Sequence, residues 1–81
     1  MDDKEILAHI NELIATEHKL RLQYAAGELT SAQEREQLRS AEEALDQAWD
    51  LLRQRRARRE FGENPDEVVL RPVSEVESYQ Q

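Results

Sequence analysis

The 81-residue chain has no cysteine, two glycines, two prolines and 5% aromatic residues. Without thiols it can build neither a disulfide framework nor a thiolate metal centre. Below roughly 70–80 residues one core seldom contributes more than about 3–5 kcal/mol unaided, so surface shared with another molecule is a natural supplement. Long apolar runs are also missing: hydrophobic residues make up 38% and mean hydropathy is −0.89, which excludes a membrane-spanning helix. The opening Met1-Asp2-Asp3-Lys4-Glu5 has the wrong charge for a secretory signal, so a cytoplasmic location is expected. No Gly-rich phosphate loop is present, and Ser31, Ser40, Ser74 and Ser78 have no convincing base and orienter nearby in the sequence. The chain reads as a non-enzyme.

What is abundant is charge, unevenly placed. The net charge is −7, yet residues 53–61 carry +4 between flanks of −2 (1–26), −5 (27–52) and −4 (62–81). An acidic total opposes non-specific coating of nucleic acid or an anionic membrane while leaving a local basic contact open.

Asp2 followed by Glu5 forms a capping-box pattern, and a helix over 3–26 is expected from it. Ile6, Ile10, Leu13, Glu17, Leu20 and Tyr24 alternate by four and three, a heptad seam that Leu7 and Ile14 widen. Glu17 interrupts the seam and is expected at its edge, reaching a basic residue such as Arg39, the alternative being a polar residue that fixes helix register. Gly27 suits a left-handed helix end, and Thr30 with Gln33 or Glu34 offers a new N-cap. The turn over 27–30 then forces the next helix, 31–61, to run antiparallel to the first. Its apolar side carries Leu38, Ala41, Leu45, Ala48, Trp49 and Leu52, with Ala44 and Leu51 extending the stripe. At about 1.5 Å per residue the second helix is about 10 Å longer than the first, so Arg55 to Phe61 should overhang.

Gly62 and Asn64-Pro65 end the second helix, leaving a tail over 62–81. Val68-Val69-Leu70 is β-prone, Pro72 bars a continuous helix, and Ser74 to Glu77 could nucleate a last turn. Apolar residues in a polar tail predict docking on the hairpin or on a second subunit. The fold class is therefore all-α: an antiparallel, coiled-coil-like two-helix hairpin (1–61) with an extended C-terminal tail, dimerising into a four-helix bundle.

A hairpin gives each helix one neighbour, and the apolar faces are wider than one neighbour covers. Leu7, Ile14, Leu45, Ala48, Trp49 and Leu52 are accordingly the candidate protein interface, in a homodimer or against a hetero-partner. Trp49 reads as a packing or interface anchor rather than a ligand-stacking residue. Arg53, Arg55, Arg56, Arg58 and Arg59 are candidate anion or nucleic-acid contacts. The bland reading is that they complement the helix C-terminus and pair with Asp2, Asp3, Glu5, Glu63, Asp66 and Glu67. Glu42, Asp46 and Asp50 repeat every four residues and read as a solvated face or an invitation to a basic partner. His9 and His18, nine apart, lack paired Glu-x-x-His spacing, so neither a metal nor another cofactor is expected.

The block from Leu45 through Trp49 and the arginines to Phe61-Gly62-Glu63-Asn64-Pro65-Asp66 resembles a family of small uncharacterised bacterial helical proteins, a domain-of-unknown-function family (family 2630). The resemblance runs from Met1-Asp2-Asp3 through Glu17-His18 and Gly27-Glu28 to the tail motif at Val76, Glu77 and Tyr79. It implies no activity and carries over no site residues. The functional expectation is thus a non-enzymatic, self-associating α-helical protein-interaction module that presents an arginine-rich helix end. The alternative is a small nucleic-acid-associated regulator using the 53–59 block.

Overall fold

A computed structural model describes residues 2–78, and within that span the protein is all-α with no strand. Helix α1 covers Asp3–Ala25 and α2 covers Ser31–Glu60; a 3-10 turn at Pro65–Glu67 and a short α3 at Val73–Ser78 follow. Tyr79, Gln80 and Gln81, and with them the end of the tail motif, lie outside the described residues.

Local chemistry sets each boundary. The Asp2 carboxylate accepts from the Glu5 amide at 2.8 Å and starts α1. At Thr30 the exchange is reciprocal: its hydroxyl accepts from the Gln33 amide at 3.1 Å, and its own amide donates to Gln33 Oε1 at 2.9 Å. Both long helices end alike. Gly27 (φ +77) and Gly62 (φ +73) take the left-handed conformation, and the residues after them, Glu28 and Glu63, donate back to the carbonyls of Gln23 and Arg58. Orphan carbonyls are satisfied at both ends by this reversal, and a side chain at either glycine would be strained.

The two long helices pack antiparallel as a hairpin around Ile6, Ile10, Ala48 and Leu52, with Leu45 and Leu51 alongside. Leu20 and Ala41 are buried nearer the turn. Glu17 sits 3.7 Å from Arg21, its neighbour one turn along α1, rather than reaching Arg39 on α2. A same-helix partner at i+4 needs no reach across the hairpin, which explains the difference.

The tail doubles back along α2, so α2 is the central element, packing against α1, the 3-10 turn and α3. The Asn64 side chain caps the 3-10 turn by accepting from the Asp66 amide at 3.0 Å. Residues 68–72 form neither helix nor strand, and α3 then presents Val76, which is 1% exposed. The resulting body is long and flat, 51 × 26 × 15 Å.

Candidate protein-interaction face and the arginine end

The arginine block divides into two sets. Arg55 points into the fold and is 6% exposed. Its Nε donates to Asp3 Oδ1 at 2.7 Å, and its Nη1 donates to Asp66 Oδ1 at 2.9 Å and to the Pro65 carbonyl at 3.1 Å. One guanidinium thus ties the start of α1 and the tail to α2, a task suited to its fixed fork of donors. Arg59 also bonds Asp3. Hydrogen bonds from Arg55 and Arg59 hold the Asp3 carboxyl below its ordinary pKa, and Asp3 and Asp66 raise that of Arg55. Arg58 donates to Glu63 at 3.1 Å and lies 3.6 Å from Glu67. Arg53 and Arg56 are exposed and pair with no carboxylate among the described residues. The expectation that Arg55 projects as a surface contact is therefore corrected: the overhang of α2 is filled by Asp3 and the returning tail, which draw Arg55 inward.

A second arginine, outside the block, does comparable work. Arg71 Nε donates to Asp50 Oδ2 at 2.8 Å and Nη2 bonds the other carboxylate oxygen. Asp50 is 3% exposed, and the backbone carbonyl of Arg71 accepts from Gln47 Nε2 at 3.2 Å. Asp50 thus departs from the solvated stripe expected for Glu42, Asp46 and Asp50. The four-residue spacing of acids was the available signal, because such a stripe draws a cation; the sequence did not say that the cation comes from 21 residues on.

The six candidate interface residues also divide. Ala48 and Leu52, 4% and 1% exposed, belong to the hairpin's own core and have no surface left for another molecule. Leu45 is half-buried against that core. Leu7, Ile14 and Trp49 are 39%, 50% and 39% exposed. With about 100° of turn per residue, Leu7 and Ile14 lie on the same flank of α1, and Leu45 and Trp49 on the matching flank of α2. One broad face of the hairpin therefore carries an apolar strip across both helices. On the other broad face, Ile6, His9, Leu51, Val68 and Leu70 line a cleft of about 340 Å³ together with Arg55 and Asp66. Val68 and Leu70 of the tail border that side, while Leu7, Ile14 and Trp49 stay exposed among the described residues.

Among the described residues, no group of three or more His, Asp or Glu is placed to hold a metal, and no helix is long and apolar enough to cross a membrane. The architecture defines a class: a small helical hairpin whose open end is clasped by its own tail. The chain belongs to the family described as protein of unknown function (DUF2630), which matches residues 2–81. It is similar to uncharacterized proteins of Mycobacterium tuberculosis and Mycobacterium bovis, each 52% identical over 77 residues, covering 95% of this chain and 88% of the relative. No solved structure matches it.

Proposed function

We propose that the protein is a non-catalytic helical interaction module of the cytoplasm that self-associates through the face bearing Leu7, Ile14, Leu45 and Trp49. The observation that carries this reading is the exposure of Leu7, Ile14 and Trp49 on one side of a hairpin whose tail covers another part of its surface. Apolar area on one flat face stabilises a complex when a second surface removes it from water, at about 25 cal/mol per Å². A face on a body 51 × 26 Å across has room for the roughly 800 Å² per partner that a standard interface buries. The alternative, phosphate binding by the 53–59 block, is weakened because Arg55, Arg58 and Arg59 are already paired with Asp3, Asp66, Glu63 and Glu67.

Sedimentation equilibrium over a concentration series tests the reading. The expected result is a species of twice the 9.5 kDa chain mass, with a blue shift of Trp49 emission as it forms. A constant monomer mass with unshifted emission overturns it. Titration with duplex DNA at rising salt tests the alternative: tight binding that falls steeply with salt would establish phosphate contacts.

A further inference from the structure

Along α2 the residues Glu42, Asp46, Trp49, Arg53 and Arg56 succeed one another at spacings of four, three, four and three. That spacing keeps them on one stripe, displaced from the stripe of Ala41, Ala48 and Leu52 that packs on α1. The outward stripe is acidic before Trp49 and basic after it. None of its four charged residues forms an ion pair among the described residues.

We propose that a second copy of this chain docks face to face on this stripe, about a dyad that runs beside Trp49 and across both helices. The proposal rests on the self-association reading above and specifies its geometry. Such a dyad lays α2 antiparallel on the partner's α2 and α1 antiparallel on the partner's α1. A residue a given number of positions after Trp49 then meets one the same number before it. Arg56, seven after, faces the partner's Glu42, seven before; Arg53 lies beside the partner's Asp46. The same operation treats α1 consistently. Asp3 on α1 bonds Arg55 on α2, so with equal rise along the two antiparallel helices Trp49 stands level with about residue 9, between Leu7 and Ile14. Leu7 and Ile14 then lie on either side of the dyad, two and five positions from that level, and both fall against the partner's α1. A dyad parallel to the helices and running along α2 would instead stack Arg56 on the partner's Arg56 and Glu42 on the partner's Glu42, so where α2 meets the partner's α2 charge favours the antiparallel arrangement.

The test is a charge exchange on exposed positions, read by sedimentation equilibrium, with dilute thermal melts confirming that each variant folds. Arg56→Glu and Glu42→Arg should each weaken self-association roughly tenfold, since two like-charge contacts arise per dimer. Mixing the two single variants should restore association, because each then meets the opposite charge; so should the double variant Arg56→Glu/Glu42→Arg. If the parent chain associates but the mixture is no tighter than either variant alone, the register is wrong while self-association stands. A parent chain that remains monomeric overturns both.

Discussion

Trp49 and Asp50 are adjacent in sequence and opposite in fate: the large aromatic is 39% exposed while the carboxylate beside it is 3% exposed. Hydrophobicity alone orders them the other way. The difference is made by what arrives at each edge of α2. Asp50 receives Arg71, a planar cation that grips both carboxylate oxygens, along with the rest of the tail; Trp49, one position earlier, keeps 39% of its surface exposed. Burial of an acid is therefore a statement about its partner, and exposure of an aromatic about the partner it lacks.

The largest effect should come from breaking the clasp on the buried edge. Arg71→Ala strands Asp50 without its cation, and removing one member of a buried pair costs about 3–5 kcal/mol. In a domain this small each kcal/mol is worth about 4–8 °C, so the melting temperature should fall by more than about 10 °C. Circular dichroism melts at low protein concentration measure this. A fall of only a few degrees would show that the tail contributes little to the fold and that the contrast between the two edges is shallow.

How far this contrast was legible in the sequence depends on the range of each contact. Periodicity put Ile6, Ile10, Ala48 and Leu52 on the two apolar faces that meet, because apolar stripes and short turns act locally, but it did not show that Ala48 and Leu52, also expected at an outer interface, are used up by the core. Gly27, Gly62 and the Thr30–Gln33 exchange were legible for the same reason. The path of the tail was not. Its direction is set by Arg55 reaching the Pro65 carbonyl and by Arg71 reaching Asp50, single contacts between distant residues that leave no repeat. The error over Arg55 has the same origin. A run of arginines reads as a uniform charge, yet positions 55 and 56 point about 100° apart on a helix, one toward Asp3 and one away.

A smaller effect tests the open end of the hairpin, where Asp3 binds Arg55 and Arg59. The folded-state pKa of Asp3 lies below its ordinary value of 3.8, so the folded chain takes up this proton less readily than the unfolded one. The pairing therefore stabilises the protein above about pH 4 and is lost as pH falls through the lowered folded value. Asp3→Asn should be less stable than the parent at neutral pH, by less than Arg71→Ala, and the gap should narrow on acidification below pH about 4. Urea midpoints measured from pH 7 to pH 2.5 would reveal this as converging curves. Parallel curves would mean that Asp3 acts through its shape or its place in the first turn of α1 rather than through its charge.

The smallest effect belongs to the uncovered edge. Arg53→Ala and Arg56→Ala each remove an exposed side chain with no ion-pair partner among the described residues, and such changes normally stay within about 0.5 kcal/mol. In dilute solution the melting curve of the double alanine variant should overlay that of the parent. That null result gives the comparison its force, because Arg55 lies between these two arginines and its removal would take from Asp3 one of its two cations and from Asp66 its cation. A clear loss of stability in the double variant, seen where no dimer forms, would mean that the Trp49 edge is already engaged within the single chain. The charges flanking Trp49 would then be structural, and the face would offer a second copy only its apolar strip.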